Sequence, residues 1–471
     1  MKSNRRNFLK YSGLTGMMMA GEKIISPLID EGNTGEPSHL LQDKHFNMCG
    51  YAAPKLETVR IGFIGLGNRG PAAVIRTSKI EGVDIKALCD LRPEKANGAK
   101  KKLQDATKTF NPDIYTGNEN EWKKMCERND IDLVYIATPW HLHAPMAVYA
   151  MKQGKHVAVE VPAAVTIDQC WEMVETSEKT RKHCMILENC CYDFFELVTL
   201  NMARQGLLGE IVHCEGAYIH DLLKSNFSKT NYHDMWRLKE NMRNGNLYPT
   251  HGLGPVAQVL NINRGDKMDY LVSMSTNDFT MAPVAKELAA KDDFYKPFAS
   301  KSYRGNMNVT TIRTNTGRTI MLQHDVSSPN VYSRIHKISG TKGSALKYPL
   351  PGKIAIGHET WMTEEEFKTN EEKYMPPIVK KVGEMAKQVG GHGGMDFLMD
   401  WRMIDCLRNG IPLDMDVYDA AAWSSIGPLS EKSIAKRSGS IDVPDFTSGS
   451  WKTNQPVDVL MQKGGNTKVV V

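Results

Sequence analysis

No run of about 18 uncharged apolar residues occurs in the 471 residues, so no membrane-spanning helix is expected. There is no C-x-x-C pair either. The nine cysteines (Cys49, Cys89, Cys126, Cys170, Cys184, Cys190, Cys191, Cys214 and Cys406) are odd in number and scattered, which predicts reduced core residues rather than a disulfide framework. No basic block stands out: 59 Lys plus Arg against 54 Asp plus Glu leaves a dispersed +5, and no nucleic-acid groove is expected. Internal repeats and low-complexity segments are lacking too. With 41% hydrophobic and 24% charged residues, the chain has the composition of a globular protein long enough for about two or three domains.

The N-terminus carries Asn4-Arg5-Arg6-Asn7-Phe8-Leu9-Lys10 before a weakly apolar stretch at 11–20, which resembles a twin-arginine export signal. The expectation is export to the periplasm through the twin-arginine translocon. That route carries folded proteins, which suits reduced cysteines and lets a cofactor board first. A lipid anchor at Cys49 is left open.

Regular structure is predicted from Val59 onward, where Val59-Arg60-Ile61-Gly62-Phe63-Ile64-Gly65 reads as a buried strand. Further apolar runs at 83–89, 132–138, 156–160 and 184–188 alternate with helix-like stretches at 122–128, 144–153 and 166–182. That rhythm predicts a doubly wound parallel sheet. From about residue 207 strand-like runs dominate (211–219, 270–276, 307–314, 319–324 and 333–339), before helices at 395–407 and 417–436. The fold class is α/β: a Rossmann dinucleotide-binding domain plus an α+β domain with a large open, mainly antiparallel sheet. Residues 1–57 are read as signal and leader, 58–190 as the dinucleotide domain, and 191–471 as the second domain with its C-terminal helices.

Gly65-Leu66-Gly67-Asn68-Arg69-Gly70 is a G-x-G-x-x-G turn directly after a buried strand and opening a helix. Its glycines permit the tight turn, and the helix N-terminus offers free N–H groups to a pyrophosphate. Asp90 follows at the end of the second strand, placed to accept both ribose hydroxyls of NAD. Arg92 nearby leaves the choice between NAD and its 2′-phosphate open. In a Rossmann frame the loop after the fourth strand closes over the nicotinamide ribose, so Thr138, Pro139, Trp140, His141 and His143 read as cofactor contacts, with Glu160 and Val161 at the nicotinamide end and Asn189 beside it. His141 and His143 with Glu160 also have the look of a zinc set, but no metal is expected.

Together, Ala137-Thr138-Pro139-Trp140-His141-Leu142-His143, Val159-Glu160-Val161-Pro162-Ala163-Ala164 and the glycine turn resemble the Gfo/Idh/MocA oxidoreductases. Most dehydrogenases of that family carry E-K-P with a catalytic Lys where this chain has Val161. The E-V-P form, with Tyr248-Pro249-Thr250-His251, Asn189, Tyr218, Arg237, Tyr332-Ser333-Arg334-Ile335 and Gly391-His392-Gly393-Gly394-Met395-Asp396, resembles glycoside hydrolase family 109.

The resemblance implies an NAD-dependent α-N-acetylgalactosaminidase acting on glycans with terminal N-acetylgalactosamine. Its implied chemistry is transient oxidation at sugar C3, elimination across C1 and C2, water addition and return of the hydride, with net retention. It implies His251 as the base, with Tyr248 as its catalytic neighbour, and Tyr218, Arg237, Tyr248, Pro249, Thr250, His251 and Tyr332 as substrate contacts. Imidazole suits the role because it titrates near neutrality. Gly391 to Gly394 either let backbone approach the pocket or form a flexible helix entry. Two alternatives stay open: an NAD-dependent sugar dehydrogenase or epimerase, and a non-catalytic sugar-binding protein. Exposed sheet faces in this fold commonly pair subunits, and the oligomeric state, with a homo-oligomer among the options, is left open.

Overall fold

The computed structural model describes residues 45–470; the twin-arginine motif lies outside the described residues. Six short strands form the first sheet: β1 (Val59–Ile64), β2 (Val83–Cys89), β3 (Asp113–Tyr115), β4 (Leu133–Ile136), β5 (His156–Val159) and β6 (Cys184–Ile186). All pair in parallel in the order β3-β2-β1-β4-β5-β6. β4, β5 and β6 are buried at every position, as a sheet covered by helices on both faces requires.

The second sheet adds β7 (Ile211–Ile219), β8 (Met268–Ser275), β9 (Asn308–Thr314), β10 (Thr319–Asp325), β11 (Lys337–Gly340), β12 (Gly343–Leu346), β13 (Lys353–Ile356) and β14 (Ile441–Asp442). Their order is β13-β12-β11-β7-β10-β9-β8-β14, antiparallel except where β10 runs parallel to β7. β8 shows why one face is covered and one is not: Met268, Leu271 and Ser273 are buried, whereas Tyr270, Val272 and Met274 face solvent. The helix Val417–Ala435 packs on β8 and on both β6 and the helix Ile167–Thr180, and so joins the two sheets.

Residues 45–57 are more than a leader. Asn47 Nδ2 donates to Asn454 Oδ1 (2.7 Å), the Met48 amide donates to the Tyr418 hydroxyl (3.0 Å), and the His45 ring meets Glu178 at 2.7 Å. Residues 45–48 therefore pack against the folded body. Burial pushes the Cys49 thiol up to about 12, with Asp416 adding to the effect. All nine cysteines are free, and eight are buried.

Candidate active site

The glycine turn is shaped as its sequence demands. Gly65 has φ +90°, and a Cβ there would lie 2.6 Å from the Ala137 carbonyl, so the turn and the loop after β4 touch backbone to backbone. A Cβ on Gly70 would sit 2.0 Å from the Gly65 oxygen. At Gly67 the nearest atom to such a Cβ is Arg92 Nη2 at 3.7 Å, leaving open space over the turn. The helix Gly70–Thr77 has no side-chain N-cap and no acidic residue in its first turn, so its free N–H groups and dipole are available to a phosphate. These features fit a dinucleotide. Asp90 braces the turn: its Oδ2 accepts from the Leu66 amide (2.7 Å), and its Oδ1 accepts from the Arg92 amide (2.9 Å) and Arg92 Nε (3.3 Å). A carboxylate with about four acceptor sites retains capacity for a ribose hydroxyl.

The H-x-H pair is split. Trp140 opens the helix Trp140–Lys152 and is buried, while His141 is exposed, 3.9 Å from Glu240. His143 turns inward, its ring nitrogens 2.7 Å from the Pro162 and Thr138 carbonyls, and burial lowers its pKa. His143 thus joins the loops after β4 and β5, with a backbone carbonyl at each ring nitrogen. The Thr138 hydroxyl meets Met146 Sδ (3.7 Å), and Pro139 and buried Val161 complete these loops.

Beneath the turn lies an ionic cluster. Arg69 Nε donates to Glu160 Oε1 (3.0 Å) and Arg69 Nη1 to Asp396 Oδ2 (3.2 Å). Asn189 Nδ2 donates to Asp396 Oδ1, and Arg76 Nε to Asp400 Oδ2 at 2.8 Å. Asn189, placed on the cofactor by sequence, is buried against Asp396. Asn68 Nδ2 reaches across to the Asn231 carbonyl (3.0 Å).

The second domain contributes an aromatic pocket. Tyr218 near the end of β7 lies 4.5 Å from Tyr248 and 5.3 Å from His251, ring centre to ring centre. Tyr248 stacks on Trp140 at 5.4 Å, bringing the two domains into one wall. The Arg237 guanidinium lies 5.1, 5.4 and 5.5 Å from the rings of Trp140, Tyr232 and Tyr248. Tyr332 meets His220 edge-on at 5.1 Å, and the Tyr218 hydroxyl lies 3.0 Å from His220 Nδ1. Burial, with neighbouring Tyr218, holds the Tyr248 phenol well above its ordinary value.

His251 sits in the first turn of the helix Thr250–Val259, behind Pro249 and buried Thr250. Its Nδ1 lies 2.8 and 3.0 Å from the two carboxylate oxygens of Glu188, which is fully buried. Three glycines make this possible. A Cβ on Gly216 would meet the Gly252 oxygen at 2.4 Å, one on Gly252 the Ala217 nitrogen at 2.3 Å, and one on Gly254 the Glu188 side chain at 2.7 Å. The helix therefore lies directly on β7 and the end of β6. Burial raises the Glu188 carboxyl, but the His251 imidazole and the Cys190 amide outweigh it, and the net shift is downward. Glu188, Cys190 and His251 bring potential metal-ligand atoms within 4.8 Å of one another, but burial holds the Cys190 thiol protonated.

Sequence reasoning brought together Tyr218, Arg237, Tyr248, His251 and Tyr332, and the structure sets their side chains in one contact cluster. It missed Glu188 and His220. One signal was available for Glu188: it stands at the C-terminal end of β6, the edge where sites of α/β sheets gather.

Residues 59–188 match the oxidoreductase family with an NAD-binding Rossmann fold, and residues 192–453 match the glycosyl hydrolase 109 C-terminal domain. A glycosyl hydrolase family 109 protein 1 of Bacteroides fragilis is 50% identical over 423 residues, covering 86% of this chain and 89% of its own. An alpha-N-acetylgalactosaminidase of Bacteroides fragilis is 51% identical over 413 residues, covering 86% and 96%. Among solved structures, levoglucosan dehydrogenase in complex with NADH and levoglucosan superposes with a TM-score of 0.61 at 17% identity, over 82% of this chain and all of that one, which speaks to the fold alone. On this sequence and this architecture, the chain belongs to glycosyl hydrolase family 109, a glycosidase family built on the NAD-binding Gfo/Idh/MocA frame.

Proposed function

We propose that the chain hydrolyses terminal α-N-acetylgalactosaminides with a resident NAD, with net retention of configuration. The observation that carries this reading is the buried Glu188–His251 pair, set among Tyr218, Tyr248 and Arg237 and joined through Trp140 to the dinucleotide side. The alpha-N-acetylgalactosaminidase relative supports the choice of sugar.

The turn at Gly65 to Gly70 and Asp90 would hold NAD, which when bound supplies reversible oxidation of the sugar at C3. The chain itself moves protons. With Nδ1 donating to Glu188, His251 keeps Nε2 free to take a proton from the C3 hydroxyl or from C2. Tyr248, protonated at neutral pH, donates to a sugar oxygen. Arg237 offers its fork of N–H groups to hydroxyls or an acetamide carbonyl. Tyr332 and Tyr218 line the wall. His392 is hydrogen-bonded to Asp396, and burial, followed by Arg237, lowers the His220 pKa.

Purified protein given an aryl α-N-acetylgalactosaminide and no NAD should release the phenol. Release of NADH to solution from a free sugar instead would favour a dehydrogenase, a reading that buried Val161 in the Lys position argues against. Sugar binding with no turnover would leave only a binding protein.

The Arg5-Arg6 motif supports export by the twin-arginine route to the periplasm. Among the described residues no helix is long and apolar enough to cross a membrane. Replacing both arginines by lysine should leave the protein in the cytoplasm; unchanged export would exclude this route. The solvent-facing row Tyr270, Val272 and Met274 supports self-association, which sedimentation checks.

A further inference from the structure

Asp396 lies at the start of the helix Met395–Asn409, far along the chain from the glycine turn, yet its buried carboxylate has four partners. Its Oδ2 accepts from Arg69 Nη1 (3.2 Å), lies 3.5 Å from Arg76 Nη1 and 2.9 Å from His392 Nδ1, while Oδ1 accepts from Asn189 Nδ2. The approach to this helix is built for that contact. Gly391, His392, Gly393 and Gly394 all have positive φ (+90°, +47°, +77° and +107°), and a Cβ on Gly391 would lie 2.6 Å from Asp396 Cβ.

Arg69 is one of the two residues between the second and third glycines of the dinucleotide turn. The other, Asn68, is held by the Asn231 carbonyl. Both are therefore pinned by residues outside the Rossmann unit, and Arg69 is held a second time by Glu160 from the end of β5. Arg69, within the turn that would hold a dinucleotide, is thus fixed by an ion pair whose acceptor, Asp396, is nearly closed to water. Low dielectric strengthens such a pair.

We propose that Asp396 is a positioning residue that retains the cofactor: acting through Arg69, it fixes the dinucleotide turn in the conformation that would hold NAD. The proposal rests on the reading that NAD is resident through turnover. It extends that reading by assigning retention to a carboxylate that touches neither the adenosine site nor the sugar pocket.

The test is cofactor content and exchange in the full chain. Wild type, Asp396→Asn and Gly391→Ala are purified, dialysed exhaustively and denatured to release NAD for assay; NADH dissociation is followed by its fluorescence during a chase with NAD. Wild type is expected to keep close to one NAD per chain. Asp396→Asn should lose it about tenfold faster or more and regain it from added NAD. Gly391→Ala, which keeps the carboxylate but pushes it away, should shift the same way, and it carries the test if Asp396→Asn does not fold. A folded Asp396→Asn or Gly391→Ala that holds NAD as wild type does overturns the proposal. Wild type that binds added NAD but keeps none after dialysis overturns the resident-cofactor reading itself.

Discussion

His251 and Glu188 face each other across the seam between the two domains, imidazole Nδ1 to carboxylate at 2.8 and 3.0 Å, with the carboxylate fully excluded from water. A buried carboxylate on Nδ1 fixes which nitrogen is free and stabilises the imidazolium formed when that nitrogen takes a proton. Replacing Glu188 by Gln is expected to lower kcat about 100-fold or more with a smaller change in KM, since binding contacts survive while proton transfer loses its orienting partner. His251→Ala should cost at least as much. Steady-state kinetics on an aryl glycoside decide it; a Glu188→Gln enzyme of normal kcat would remove the pair from the chemistry.

Gly252→Ala places a methyl group 2.3 Å from the Ala217 nitrogen, where only backbone could yield. The helix Thr250–Val259 must lift from β7, at a cost of about 1–3 kcal/mol. His251 moves with it. The urea midpoint should fall and activity should fall further than stability alone explains; an unaffected variant would show that the close approach does not set the site.

Arg237→Lys keeps the charge but loses the planar fork stacked among Trp140, Tyr232 and Tyr248. KM should rise about tenfold with little change in kcat, the signature of lost uniform binding. A kcat defect at constant KM would place Arg237 in the chemical step instead.

Acid should weaken the fold early. Burial lowers His156 and His183 to about 3, and His156 Nδ1 accepts the His183 amide at 3.1 Å, which requires a neutral ring. Burial also takes His336 to about 3. A folded-state pKa below the unfolded value means that the unfolded chain binds more protons, so stability is lost as pH falls below about 6.5. Each ring contributes about 2 kcal/mol of loss by pH 5. Denaturant midpoints compared at pH 7 and pH 5 check this, and equal midpoints would contradict it.

The Rossmann half was legible, its edge strand β3 excepted, because its inner strands are largely buried and read as short apolar runs, and because the glycine turn, the helix and Asp90 stand in fixed order. Less of the second sheet was legible. β12 and β13 are four residues each, bounded by Gly, Pro and Lys, too short for alternation to show. The pattern at 333–339 resolves into β11 at Lys337–Gly340 and a single bridge from Ser333 to Ile219. The helices Met281–Lys291, Glu364–Tyr374 and Pro377–Val389 went unread. In the site, residues inside a recognisable motif were found, whereas the partnership of Glu188 with His251 depends on Gly216, Gly252 and Gly254 meeting across three elements. No local spacing encodes that meeting. His143 shows the converse: it stands in the motif, but it folds inward to hold two carbonyls.

The central claim is that a sugar bond is cut by transient oxidation, with His251 handling a proton. The most direct test is proton NMR of the purified protein turning over an aryl α-N-acetylgalactosaminide in deuterium oxide with no NAD added. The account predicts release of N-acetylgalactosamine carrying deuterium at C2, with the α anomer formed first. Release of sugar that keeps its C2 proton would contradict the oxidation and elimination route and leave an ordinary glycosidase on a dinucleotide-binding frame.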